Sequence, residues 1–448
     1  MVRTAEGTQV SAQGIGARGK RIKLVGVLVF AALLGQCAWT PTGLLVPVSG
    51  DSALAIDAGA ASLYVDLLWY IRSVHLDELD LPEGALTQAQ IGERIEANRA
   101  DPELIARIDA LLDHPAYTEL ASVMRSSKLG IRGKNAYRET FIRIPWERTV
   151  LRGGVDEQIL DVLRGLDQDT RDSVQAVIDA LCTPEAAQRI FDTTDAWLPE
   201  DVEHRSTYQV YVYFDGNRGG FQTEHAIYLD LMHHRSTLEE AEGLQAMEQV
   251  ISHELHHTAY TDWLKSNARD FAIPPLLGPR RTALGLWQMD LVLEGTAQFC
   301  DYGRKPEVVR AMQFDPDMNT VMFGVYQDTF LAMARGEMGL IEYQQIREDY
   351  SYDVSRDLFL EYLALTYTEE EIAAIREEDP SFLGYRPVPH YFVGYRIFWE
   401  IHQAQGIEGF LAAATHPFEL MERYHAVAVL DPSLPQISEE FVEAWREL

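Results

Sequence analysis

Apolar residues recur at Leu244, Met247, Ile251 and Leu255, three or four apart, which is the spacing of one helix face. Ahead of them Thr237-Leu238-Glu239-Glu240 has the form of a capping box, and no proline falls between Thr237 and Ile273. The pattern therefore predicts a helix starting near Thr237 and running past Tyr260, with Gly243 weakening its first turns. Upstream the period changes. Tyr208–Phe214 is rich in aromatic and β-branched residues and predicts a strand. Asp215–Gly220 reads as a turn, and Ala226–Leu231 predicts a second strand leading to the helix. Downstream, the prolines of Ile273–Pro279 must break any helix. Leu284–Phe299 then reads as a second, mostly buried helix.

The flanks are helical in pattern. On the N-terminal side the expected helices are Ala61–Val74, Gln88–Asn98, Pro102–Leu112, Tyr117–Ser127 and Glu157–Leu181. On the C-terminal side they are Pro306–Gln313, Met322–Arg335, Ile341–Glu348, Ser355–Leu365 and Thr368–Glu378. Tyr385–Ile401 reads as an aromatic-rich loop entering an apolar helix. The fold class expected from these patterns is mainly α with a small β-sheet (α+β).

Charge narrows the partners. The chain of 448 residues carries a formal net charge of −31, which argues against a nucleic-acid partner because phosphates would be repelled. The first residues differ: Arg3, Arg18, Lys20, Arg21 and Lys23 precede an apolar run from Leu24 to Leu34. A basic stretch before an apolar run of that length predicts a secretory signal and an exported protein, periplasmic, extracellular or anchored in a bacterial envelope. The run is too short to be read as a transmembrane helix. Leu34-Gly35-Gln36-Cys37 resembles a lipoprotein box with a poor residue at Gln36, and Ala53-Leu54-Ala55 is a second cleavage candidate. Any membrane attachment is expected through the N-terminus only. The expected division is 1–37 signal peptide or lipoprotein signal, 38–57 linker, 58–200 N-terminal helical domain and 201–448 catalytic domain. Cys37, Cys182 and Cys300 lack metal-ligand spacing; Cys182 and Cys300 read as small buried hydrophobes, with a bridge between them open in an oxidising compartment.

The candidate chemistry sits on the central predicted helix. His253-Glu254-Leu255-His256-His257 places two imidazoles four residues apart, one above the other on one face. Both can reach one tetrahedral Zn²⁺, and Glu254 can reach a water on it. Glu294, a charge inside an apolar run, is costly to bury unless paired or bound to metal, and is the best third-ligand candidate. Gly295 and Ala297 are small enough to let the two helices approach closely. Asp290 and Gln298, one turn to either side, could each fix the tautomer of a ligand histidine. His256 points off the ligand face and is expected to be a shell or surface residue. His390, Tyr391 and Tyr395 could face the metal and stabilise an oxyanion, although aromatics in such a stretch are more often core.

His253-Glu254-x-x-His257, with Glu294 opening Glu-Gly-x-Ala on a later helix, resembles the gluzincin zinc metallopeptidases, and most closely the uncharacterised zinc-dependent peptidases of bacteria. Leu198-Pro199 at a boundary, Gly219-Gly220 between two strands, and Tyr391-Phe392-Val393-Gly394 also match that group, and the likeness spans roughly residues 110–430. The resemblance implies a zincin-like catalytic domain, zinc ligands at His253, His257 and Glu294, and a general base at Glu254. One departure stands out: thermolysin-like enzymes have an aspartate one turn after the third ligand, where this chain has Gln298. A neutral amide orients an imidazole but does not support an imidazolium, which leaves that part to Asp290 or Asp301. The reading is a zinc-dependent metallopeptidase acting on a peptide or protein substrate. The alternative is a non-catalytic exported zinc-binding or scaffold protein that keeps the gluzincin fold. A third is a zinc hydrolase acting on something other than a peptide.

Overall fold

The computed structural model describes residues 43–49, 52–79, 85–126, 134–144, 155–214, 219–231, 243–267, 279–302, 307–351, 353–378 and 387–447, together with Trp146 and Lys305. The expected signal, Cys37 and the capping box at Thr237–Glu240 lie outside the described residues.

Two apolar runs flank Ser49-Gly50-Asp51, and they form strands β1 (Leu44–Ser49) and β2 (Ser52–Asp57), paired antiparallel. Leu44–Ser49 and Ser52–Asp57, which fall within the range read as a linker, are therefore strands of the sheet. Ala53, Leu54 and Ala55, one of the two cleavage candidates, are buried in the middle of β2, so a cut there would split a core strand. The proline at position 47 fits β1 as an edge strand, where a missing N–H costs least.

Eight helices follow among the described residues: α1 (Gly59–Leu79), α2 (Gln88–Ala100), α3 (Pro102–Asp113), α4 (Pro115–Ser126), α5 (Lys134–Arg143), α6 (Val155–Gly165), α7 (Gln168–Leu181) and α8 (Pro184–Asp195). The single helix expected over Glu157–Leu181 is two. Gly165 ends the first, and Asp167 caps the second by accepting the Thr170 N–H at 2.8 Å. Next come β3 (Thr207–Tyr213), β4 (Gly220–Gln222) and β5 (Ala226–Asp230). Then follow α9 (Gly243–Ser266), α10 (Pro279–Asp301), α11 (Glu307–Phe314), α12 (Pro316–Arg335), α13 (Leu340–Ser351), α14 (Asp353–Thr366), α15 (Glu369–Glu378) and α16 (Pro389–Thr415). A 3-10 turn at Pro417–Glu419 leads to α17 (Leu420–Ala428) and α18 (Glu439–Arg446). The fold is mainly α with one small mixed sheet, as the patterns predict.

The sheet order is β1-β2-β3-β5-β4. β2, β3 and β5 run parallel, and the outer strands are antiparallel to their neighbours. β2, β3 and β5 are buried at almost every position, as parallel strands covered on both faces must be. β5, the strand expected before the metal helix, has neighbours on both sides. The edge of the sheet on that side is β4. Residues Pro41–Leu448 form one compact unit. Among the described residues no helix is long and apolar enough to cross a membrane. Cys182 and Cys300 are free thiols, not a bridge, and Cys300 is buried.

Candidate metal centre

Helix α9 is apolar or buried around most of its circumference, so it runs through the interior. Its polar residues are held individually. The Ser252 hydroxyl donates to the Ile190 carbonyl at 3.1 Å, and the Thr194 hydroxyl donates to the Ser252 carbonyl at 3.1 Å. Both partners belong to α8. One turn earlier, Glu248 accepts both Arg189 contacts, at 3.0 and 2.6 Å. These bonds fix the rotation of α9 beside His253.

With that rotation, the Nε2 atoms of His253 and His257 lie 3.0 Å apart. Glu294 on α10 brings Oε2 to 3.2 Å from His257 Nε2 and 3.4 Å from His253 Nε2. Ligand atoms bound tetrahedrally at about 2.0–2.1 Å from one zinc ion lie about 3.3–3.4 Å from one another, so the three atoms have the spacing of a zinc ligand set. Hydrogen bonding alone would leave two imidazole nitrogens turned onto each other. A shared cation satisfies both nitrogens and the carboxylate. Glu294 keeps 18% of its side chain accessible, so the group is reachable from solvent.

The charges around the group are unequal. Burial would raise the Glu294 carboxyl, but the facing imidazoles outweigh it and hold it well below its usual range. Burial would lower the His253 imidazole, but Asp301 and then Glu294 raise it to about 10. Asp301 Oδ1 stands 3.4 Å from His253 Nδ1. Of the three residues weighed for that part, only Asp301 takes it. Asp290 pairs with Arg347, and Gln298 donates its amide to the Tyr391 carbonyl at 2.6 Å while accepting from Lys305. Glu254 is raised by burial first, with the two imidazoles pulling the other way. A Cβ placed on Gly220 of β4 would come within 3.3 Å of the Glu254 side chain and 2.6 Å of Val250, so the edge strand lies directly against this part of α9.

The late aromatic stretch divides. Burial, then the charges of Glu294 and Glu254, push the Tyr391 hydroxyl well above its usual range, which places it beside the group. His390 adjoins it and feels Glu294 and Arg347, with burial lowering its imidazole to about 4. Tyr395 is instead fully buried in an aromatic stack, its ring 4.3 Å from Tyr302 and 4.9 Å from Phe299. His256 is neither shell nor surface. It is fully buried, bonded to the Trp197 carbonyl at 3.2 Å and stacked on Tyr260.

Helix α16 reaches this place through glycine. A Cβ on Gly394 would meet the Leu291 carbonyl at 2.5 Å and the Gly295 Cα at 3.0 Å. Gly295 therefore serves the crossing of α10 with α16, rather than the approach of α10 to α9 expected from sequence. Ser252, Thr194 and Arg189 gave no sequence signal, because their roles depend on which helix lies alongside.

A family model described as "Putative zinc dependent peptidase (DUF5700)" matches residues 108–433, well over half of the chain. Neither a curated protein nor a solved structure matches. The matched range contains α9, α10 and α16, and with them each residue of the group.

Proposed function

The chain belongs to the family that this match identifies, and on that premise we propose that it hydrolyses peptide bonds, with His253, His257 and Glu294 holding a zinc ion and Glu254 as general base. The observation that carries the reading is the convergence of two imidazole nitrogens and one carboxylate oxygen within 4.8 Å of one another. A zinc ion held there supplies Lewis acidity to a carbonyl and lowers the pKa of a bound water toward ~7. Glu254 takes the proton of the attacking water on a carboxylate oxygen and returns it to the departing amine. Its raised proton affinity suits both halves of that task. Asp301 keeps a proton on His253 Nδ1, which leaves the Nε2 lone pair facing the ligand set. Tyr391, protonated at any ordinary pH, donates its hydroxyl to the oxygen that gains charge. His390 is the second donor in reach, and Tyr395 is set aside. The partner is a peptide or protein laid along β4 by backbone hydrogen bonds, since β4 is the sheet edge beside Glu254. Export and attachment by the N-terminus belong to the same proposal.

The test is metal analysis and hydrolysis of an unstructured protein, with and without chelator, by wild type and Glu254→Gln. The expected result is about one zinc per chain in both proteins, with the rate of the variant lower by roughly 10²–10⁴-fold. Zinc retained without hydrolysis in the wild type would favour the non-catalytic alternative. Undiminished hydrolysis by the variant would remove Glu254 from the mechanism.

A further inference from the structure

Gln298 stands one turn after Glu294 on α10, where a partner for a ligand imidazole was expected, yet Asp301 faces His253 and the amide turns to α16. Gln298 is 1% exposed, and both ends of its amide are used. Nε2 donates to the Tyr391 carbonyl at 2.6 Å, and Oε1 accepts from the Lys305 ammonium. An ammonium has donors and no acceptor, so it fixes which way round the amide lies. Reversed, Oε1 would face the Tyr391 carbonyl oxygen and the NH₂ group would face the ammonium. Lys305 is held in its turn. Its Nζ lies over the rings of Tyr302 and Tyr395, 5.7 and 5.8 Å from their centroids, and those two rings stack on each other.

The bond has a mechanical consequence. α10 and α16 meet at Gly295 and Gly394, where a Cβ on either would come within 3 Å of the other helix's backbone. Such a crossing sets how close two helices lie, but by itself it leaves them free to swivel about the contact. Gln298 lies three residues past Gly295, and Tyr391 three residues before Gly394. The amide therefore ties the helices at a second point, about 4.5 Å along each axis from the first. Two ties remove the swivel, and the residue tied is the one whose hydroxyl feels Glu294 and Glu254.

We propose that Gln298, oriented by Lys305, is a positioning residue for the reaction: through the Tyr391 carbonyl it holds the Tyr391 hydroxyl where it donates to the oxygen that gains charge. The inference rests on the peptidase reading above. It gives the amide a part toward α16, because the part toward the imidazole is taken by Asp301.

A double-mutant cycle on a peptide that the wild type cuts tests it. Gln298→Met keeps the length of the side chain and removes both hydrogen bonds. Its kcat is expected to fall by roughly 10–100-fold, with KM within about threefold of wild type and zinc retained. Tyr391→Phe is expected to lose roughly 10²-fold in kcat. The double variant should come within about twofold of Tyr391→Phe, since a residue that acts through the hydroxyl has nothing left to lose once the hydroxyl is gone. A general loosening of the fold would instead cost the same in both backgrounds. Lys305→Met, at a part-buried position, is expected to lose about three- to tenfold in kcat, and Lys305→Arg, which keeps a donor for Oε1, to recover most of it. Where Gln298→Met does not fold, Lys305→Met takes its place in the cycle. Additive losses, a loss carried by KM, zinc lost from the variant, or a wild-type rate in Gln298→Met or Tyr391→Phe overturns the proposal. If the wild type cuts no peptide, the peptidase reading has failed, and the tie is judged by crystal structures of the zinc-loaded wild type and Gln298→Met. A Tyr391 hydroxyl displaced from Glu294 by about 1 Å or more in the variant upholds the tie without the peptidase, and an unmoved hydroxyl overturns it as well.

Discussion

His256 shows how one residue of the motif can serve the fold rather than the chemistry. Burial, with His257 next, lowers its imidazole to about 3, against about 6.5 in an unfolded chain. Between those values the unfolded chain binds the proton and the folded chain does not. Stability is therefore fully present above about pH 6.5 and is lost as pH falls, by up to ~1.4 kcal/mol per unit. His256→Gln keeps a donor for the Trp197 carbonyl without a titrating ring. Urea unfolding of chelator-treated protein from pH 7 to pH 4 should show a shallower loss in the variant than in wild type. An unchanged slope would show that His256 is not held neutral. At this scale the sequence was most legible where geometry is local. His253, Glu254 and His257 follow from helix spacing alone, and Glu294 from the cost of a charge in an apolar run. For the partner of His253 Nδ1 the sequence offers Asp290, Gln298 and Asp301 without deciding among them. Gln298 turns to Tyr391 and Lys305, and only the crossing of α9 and α10 shows that Asp301 reaches the ring.

At the scale of elements, the decisive feature is the glycine-to-glycine crossing of α10 and α16. Gly295 follows Glu294, and Gly394 lies just under one turn after Tyr391, so the crossing sets the distance between the carboxylate and the tyrosine. Gly394→Ala would put a methyl 2.5 Å from the Leu291 carbonyl, and backbone cannot give way as a side chain can. The helices must part, at a cost of ~1–3 kcal/mol, and Tyr391 must move with α16. A lower melting temperature together with reduced kcat/KM is expected. Gly92→Ala is the control: it is a helical glycine with nothing within 4 Å of the added methyl, and it should stabilise by ~0.4–1 kcal/mol. Equal behaviour of the two variants would sink the argument. Long periodic helices and the two aromatic strands were readable in the sequence. β1 and β2 read as a linker because each is short and the parallel partner of β2, β3, lies some 150 residues away in sequence. Which helix a small residue serves was likewise hidden, since Gly295 fits either neighbour equally well on paper.

For the whole molecule, the consequence lies in what crosses residue 200. β2 pairs with β3 from Ala53–Thr207 to Asp57–Tyr211, and β3 is buried from Tyr208 onward. α8 supplies the Ile190 carbonyl and the Thr194 hydroxyl that hold Ser252, the residue before His253, and Arg189 neutralises the buried Glu248. A fragment of residues 201–448 carries each candidate ligand, yet it loses the strand beside β3 and the helix beside α9. It would expose one edge of a parallel strand, strip from Glu248 its cation and the helix that covers it, and free the rotation of α9 on which the 3.0 Å approach of the two imidazoles depends. The fragment is therefore expected to bind 8-anilinonaphthalene sulfonate, to unfold without a sharp transition, and to hold zinc at least tenfold more weakly than the full chain. Residues 41–448 should melt in one transition and keep the metal. A fragment 201–448 that melts sharply and binds zinc as the full chain does would show that the part carrying the candidate ligands folds alone, and that the strand and helix before residue 200 are packing rather than a condition of the site.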